Sequence, residues 1–151
     1  MVNNQGTVLR GTVTIVPTRP DVFNIEMIPQ AGGRAYVKNV TNRVATGEPF
    51  TVTTVKYRGG KRVPTQLRLR VTGIANTTSP VISIRMGSYT ATATRVLTGG
   101  VLVEPGVYTV DFTVPPELNN AGDVPIIVIV NANGTLFQSR LDDTAPKLRF
   151  L

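Results

Sequence analysis

The stretch Val107-Tyr108-Thr109-Val110-Asp111-Phe112-Thr113-Val114 decides the class of fold. Tyr108, Val110, Phe112 and Val114 take every second position, and Thr109, Asp111 and Thr113 fill the places between. A period of two sends the first set to one face of a strand and the second set to the other. The β-branched residues have stiff χ1 angles that suit a pleated strand and disfavour a helix. Pro115-Pro116 stops the run, because proline has no amide to offer a ladder. Downstream, Val124 to Val130 is apolar on both faces, which predicts a central strand with both sides covered. Asn133-Gly134 follows as a two-residue hairpin signal leading into Thr135 to Leu141. The chain closes on Lys147-Leu148-Arg149-Phe150-Leu151, a short strand with apolar residues at its end.

Working upstream, Val63 to Val71 alternates again, with Leu67, Leu69 and Val71 on one side and Arg68 and Arg70 on the other. Phe50 to Tyr57 precedes it through the glycine turn Arg58-Gly59-Gly60-Lys61, a hairpin signal. Val81 to Met86 and Tyr89 to Val96 flank Gly87-Ser88 as a second hairpin. Arg34 to Val40, Val22 to Ile28 and Thr7 to Val16 read as further strands, the last with Val13 and Ile15 on one face. Only Pro116 to Ala121 has room for a single helical turn. Many short strands with turn signals at intervals of about 8–12 residues predict a sandwich. The expectation is an all-β, immunoglobulin-like antiparallel β-sandwich over residues 63–151. Residues 1–62 supply extra N-terminal strands, packed with the sandwich or part of it.

Composition narrows the chemistry. The chain has 151 residues, no cysteine and no histidine. Disulfides, thiol nucleophiles, Ser-His-Asp and Cys-His catalysis and the usual zinc sites are thereby excluded. A length of this order buries roughly 70% of the unfolded surface, so the core needs no metal or covalent staple. The pairs Gly59-Gly60 and Gly99-Gly100 lack the following helix that a phosphate loop requires. No run reaches transmembrane length, and Met1 to Gly6 lacks the character of a signal peptide. If the protein is exported, this chain is expected to be a mature form or an excised fragment.

The net charge of +7 is unevenly placed: Met27 to Val103 holds 11 basic residues and one acid, Glu48, whereas Glu104 to the C-terminus holds 6 acids and 3 bases. Opposite-signed ends could dock copies head to tail, and solubility is the competing explanation.

The segment Pro105 to Pro115, followed by Gly122-Asp123-Val124-Pro125 and the apolar strand Ile126 to Val130, resembles an uncharacterised family of β-sandwich domains. These stand at the C-terminal ends of large secreted proteins of soil bacteria. Their pattern is a Pro-Gly, a Tyr-containing strand ending in Val-Pro, a Gly-Asp turn and a buried strand. Pro20 to Phe23, Asn39-Val40-Thr41 and Thr72-Gly73-Ile74 also look like that family's blocks. The family usually has Gln and Asn where this chain has Thr109 and Asp111. The resemblance implies an immunoglobulin-like fold and an extracellular or cell-surface location, and it implies no activity.

Candidate sites are few. A glycosidase needs two carboxylates across a cleft, and Glu104, Asp111, Glu117 and Asp123 lie close in sequence; solvated surface and turn chemistry account for them better. Asp142-Asp143 is the best candidate for Ca²⁺, but two adjacent acids fall short of the six or more oxygens required. The most pointed feature is the basic set Lys56, Arg58, Lys61, Arg62, Arg68 and Arg70, which brackets one hairpin. Several of these side chains should share an outer face able to meet a polyanion. The competing role is a charged face that guards a sheet edge. Nucleic acid is disfavoured, because stacking aromatics are scarce. Finally, the terminal strands carrying Val13 and Ile15, and Leu148 and Phe150, could pair with a neighbouring subunit's sheet edge. The expected function is a non-enzymatic extracellular structural or adhesive module, possibly self-assembling by strand addition, without cofactor, metal or membrane insertion. Its partners would be other copies, other surface proteins or a cell-surface polysaccharide. The alternative is a carbohydrate- or polyanion-binding accessory module of a larger secreted protein.

Overall fold

The computed structural model of the chain describes residues 3–4, 7–8, 12, 15–16, 18–26, 32–42, 45–74, 80–98 and 105–151. The strands among them are, in order, β1 (Asn3–Asn4), β2 (Thr7–Val8), β3 (Asp21–Val22), β4 (Asn24–Glu26), β5 (Arg34–Ala35), β6 (Val37–Asn39), β7 (Thr53–Val55) and β8 (Arg62–Pro64). They continue as β9 (Gln66–Thr72), β10 (Val81–Met86), β11 (Tyr89–Thr92), β12 (Arg95–Thr98), β13 (Val107–Thr113), β14 (Gly122–Ala132), β15 (Thr135–Gln138) and β16 (Lys147–Phe150). A single 3₁₀ turn at Pro116–Leu118 is the only helical element among the described residues.

Two sheets make the sandwich. The first has the order β11-β10-β14-β16-β5-β4, with β15 also on β14; the second has the order β12-β13-β9-β3, with β6 also on β9. Alternation sends Leu67, Leu69, Val71, Val110 and Phe112 inward from the second sheet. They meet Ile82, Ile84, Met86, Ile126, Val128, Val130 and Leu148 of the first in one hydrophobic cluster. Each such side chain contributes about 1.5–3 kcal/mol by leaving water. Val22, Ala35, Val37 and Phe50 belong to the same cluster. The described part of residues 1–62 from Thr18 onward therefore shares the core of residues 63–151.

β14 is the axis of the first sheet. Its positions Ile126 to Asn131 pair with β10, Ile129 to Ala132 with β15, and Gly122 to Pro125 with β16. β15 and β16 run end to end along one flank of β14, interrupted by residues 139–146. Val124, Ile126, Val128 and Val130 enter the shared core, and Ile127 on the opposite face is also buried, at 1% exposed, whereas Ile129 is half-buried.

Three strands expected to be continuous are broken where the chain changes sheet. The Arg34–Val40 strand splits at Tyr36, with β5 in the first sheet and β6 in the second. β4 and β5 thus pair with each other in the first sheet, between β3 and β6 of the second. At that junction the Phe23 amide donates to Arg70 O (3.1 Å), the Tyr36 amide to Phe23 O (2.6 Å), and the Arg70 amide to Tyr36 O (3.1 Å). The Tyr89–Val96 strand splits between Ala93, whose amide donates to Ile82 O, and Thr94, whose amide donates to Asp111 O. The Val63–Val71 strand breaks at Thr65, which is fully buried and bonds to Val52 and Val114 instead. The Thr7–Val16 strand is seen at its start, where Thr7–Val8 pairs with Asn3–Asn4. Ile15 is 91% exposed and outside any strand, and Val13 lies outside the described residues.

The other terminal strand corrects an expectation. Leu148 and Phe150 are 0% and 1% exposed. β16 pairs with β14 on one side, and on the other it meets β5 in parallel and Phe50 through a bridge to Phe150. Both backbone edges are engaged within the chain, so β16 has no open edge to give a neighbour. Burial of the two side chains is satisfied internally, with the Phe50 and Phe150 ring centroids 6.3 Å apart.

Candidate functional site

The predicted basic residues fall into two groups. Lys56, Arg58, Lys61 and Arg62 are exposed on the β7–β8 hairpin and its tip. Arg68 and Arg70 are half-buried on the outer side of β9. Outward alternation nevertheless runs on through Arg62, Pro64, Gln66, Arg68 and Arg70, with Thr65, Leu67 and Leu69 buried between them. The hairpin thus extends the outer face of the second sheet beyond the Thr65 break.

Register adds two cations that sequence reasoning missed. Lys38 on β6 stands opposite Arg68, Arg68 opposite Asp111 on β13, and Asp111 opposite Arg95 on β12. Four charged residues thereby form one row across the sheet. They are far apart in sequence, and only the strand pairing brings them together. Asp111 is the sole acid on these four strands. It is 7% exposed and takes a two-pronged bond from Arg68, Nε to Oδ1 at 2.7 Å and Nη2 to Oδ2 at 2.8 Å. Donating to the Asp111 carboxylate raises the Arg68 pKa above its ordinary value, so the guanidinium stays charged. Asp111→Asn keeps the shape but accepts only one prong. It is expected to cost about 1–2 kcal/mol in urea denaturation, below the figure for fully buried pairs because Arg68 is partly solvated. An unchanged urea midpoint would show that the pair contributes nothing to stability.

Arg70 has a structural role. Its guanidinium carbon lies 5.1 Å from the Phe23 ring centroid and 5.5 Å from that of Tyr36, a cation–π arrangement at the point where the chain leaves and re-enters the sheet. Lys38 also stands over Tyr36, at 5.5 Å. Tyr36, Lys38, Val40, Ala45, Arg68, Arg70 and Thr109 line a shallow groove of about 280 Å³. Immediately beyond Val40, Thr41 and Asn42 join Lys56, Tyr57 and Arg58 around a second depression of about 190 Å³. Val40 lines the first depression and Thr41 and Asn42 the second, so the uncharged 40–42 segment joins the cations of the sheet to those of the hairpin tip.

The carboxylates are engaged elsewhere. Asp123 and Glu48 both bind Arg34 (2.7 and 2.6 Å), Asp142 binds Arg85 (2.6 Å) and Asp21 binds Arg140 (2.8 Å). The hydrogen bond from Arg34 holds the Asp123 carboxyl below the usual carboxylate range. These bonds leave Asp111 and Asp123 tied to different arginines on different sheets, and Glu104 lies outside the described residues. Asp142 faces Arg85, and no group of three or more metal-ligating side chains occurs among the described residues. The outer face of the second sheet and its hairpin thus present positive charge and the exposed Tyr57, whereas the two described carboxylates that meet, Glu48 and Asp123, do so on Arg34. No family model, curated protein or solved structure matches the chain.

Proposed function

We propose that this chain is a non-enzymatic, extracellular, immunoglobulin-like adhesive module that contacts an anionic cell-surface polysaccharide through the outer face of its second sheet and the adjoining hairpin. The observation that carries this reading is the continuous cationic surface. Lys38, Arg95, Lys56, Arg58, Lys61 and Arg62 are exposed, no ion pair engages any of them among the described residues, and Asp111 is masked by Arg68. From Pro49 to Val103 the sequence holds no acid at all, and Asp111 is the one acid on β6, β9, β12 and β13. Such a surface raises the local concentration of a polyanion and binds it in a salt-dependent way.

Strand order supports the immunoglobulin-like kinship. If β3/β6, β9, β10, β11, β12, β13, β14 and β15/β16 are lettered A, B, C, C′, D, E, F and G, the second sheet reads A-B-E-D and the first reads C′-C-F-G. That is the arrangement of immunoglobulin sandwiches. The parallel contact of β5 with β16 adds a piece of the first strand to the G edge. The resemblance to C-terminal domains of secreted soil-bacterial proteins supports the location. Self-assembly through the C-terminal strand is not part of the proposal, because β16 is engaged within its own sheet.

The test is binding of the purified chain to immobilised polygalacturonate over a salt series. Affinity should fall at least about tenfold between 50 and 300 mM salt as the Debye length shortens. Absence of binding at low salt, or binding indifferent to salt, would overturn the proposal.

A further inference from the structure

Charge does not account for Tyr57. It is 90% exposed, at the head of a hairpin whose backbone is held from behind. The Lys56 amide donates to Lys61 O (2.9 Å) and closes the tip. Asn42, from the neighbouring loop, accepts from the Tyr57 amide through Oδ1 (3.1 Å) and donates through Nδ2 to Val55 O (3.0 Å). One side chain thus fixes the strand end and the base of the tyrosine together. Gly59 and Gly60 follow at φ of +91° and +62°, with open space where a Cβ would stand. Backbone conformation therefore calls for glycine there, and the bare turn leaves Tyr57 standing clear. Lys56 and Arg58 flank the ring in sequence, and Lys61 and Arg62 return beside them on the opposing strand.

A hydrogen-bonded backbone, an exposed aromatic ring and the cations of the tip, Lys56, Arg58 and Lys61, suit one kind of partner. A pyranose presents an apolar C–H face that stacks on an aromatic ring, and an acidic pyranose adds a charge for the cations beside it. Residues 56–62 include no aliphatic side chain that could enter a lipid layer, and one ring is too few for a series of stacked bases. Holding the tip in place beforehand lowers the ordering cost of binding. We infer that the β7–β8 tip is a subsite for one carboxylated pyranose of an anionic polysaccharide, with Tyr57 stacking on the ring and Lys56, Arg58 and Lys61 meeting its carboxylate and those of the adjoining sugars. The inference rests on the polyanion reading above and adds the sugar-ring requirement.

The experiment titrates the full chain, Tyr57→Ala and Tyr57→Phe with oligogalacturonate and with inorganic polyphosphate, which carries charge but no ring. Tyr57→Ala should weaken oligogalacturonate binding about tenfold, and polyphosphate binding should stay within about twofold. Tyr57→Phe should retain oligogalacturonate binding, since the stacking face remains. Equal behaviour of the wild type and Tyr57→Ala toward oligogalacturonate would overturn the subsite and leave the polyanion reading standing. Absence of wild-type binding to both polyanions would overturn both. Tyr57-dependent binding to anionic-lipid vesicles without oligogalacturonate binding would overturn the subsite in favour of a membrane surface. Tyr57 packs against little of the chain, at 90% exposed, so the thermal midpoint of each variant, measured alongside, should not move.

Discussion

Phe150→Ala is expected to destabilise the chain by about 3–5 kcal/mol, the range for removing a buried aromatic ring. The residue is next to last in the sequence, where fraying is the ordinary expectation. Here the ring is 1% exposed and packs on Phe50. The strand that carries it lies between β14 and the bridge to Phe50, and the Leu151 amide donates to Phe50 O (2.8 Å). Removing the ring opens a cavity in a core shared by both sheets, and rigid strand pairing on both flanks limits collapse. A fall in the urea midpoint at constant slope, with no change in molecular mass by light scattering, is the predicted outcome. An unchanged midpoint together with an altered association state would mean that β16 pairs outside its own chain, and would restore strand addition as a working mechanism.

Gly73→Ala is expected to have the second large effect, at least about 3 kcal/mol. Gly73 sits at φ +69°, and a Cβ built there would stand 1.8 Å from Arg19 O. Two costs combine. The left-handed backbone is unfavourable for alanine, and the obstructing atom is main chain, which cannot swing aside. The segment it would push is anchored at the same place: the Arg19 amide donates to Gly73 O at 3.0 Å, and Thr18 Oγ1 donates to the same oxygen at 2.5 Å. Displacement there would loosen the lead-in to β3 and with it the edge of the second sheet. For a chain of this length, 3 kcal/mol corresponds to a drop in Tm of roughly 6–12 °C by calorimetry. A Tm within about 2 °C of the parent would show that the Thr18–Pro20 segment yields without cost.

The two effects concern the scaffold, and their relevance to function is positional. The cationic face is assembled from β6, β9, β12 and β13, and β6 lies in the second sheet although β4 and β5 just before it lie in the first. Arg70 holds that junction by lying over Phe23 and Tyr36. An arginine that reads in sequence as a ligand contact therefore spends its guanidinium on the fold, whereas Lys38 and Arg95, unremarked in sequence, face solvent in the same row as Arg68.

The difference between those residues shows where sequence information ends. Alternation along β9, β10 and β13 and the unbroken apolar run of β14 were legible because they follow from the pleat itself, a period of two that every strand obeys. The hairpin at Asn133-Gly134 was legible because its turn restricts residue type: Asn133 and Gly134 adopt φ of 52° and 86°. The sheet crossing at Tyr36 was not, because Ala35 and Val37 keep the same inward alternation on both sides of it.

By itself, then, the sequence determined the class of fold, the inward and outward faces of the main strands, and the absence of histidine and cysteine chemistry. Each of these depends on neighbours along the chain or on composition. Tertiary structure alone decided which strands lie side by side. It set Lys38, Arg68, Asp111 and Arg95 in one row, tied Asp142 to Arg85 across 57 positions, and enclosed β16 between β14 and Phe50. Pairing between strands is a long-range choice made by the whole core, and no local pattern in the chain encodes it.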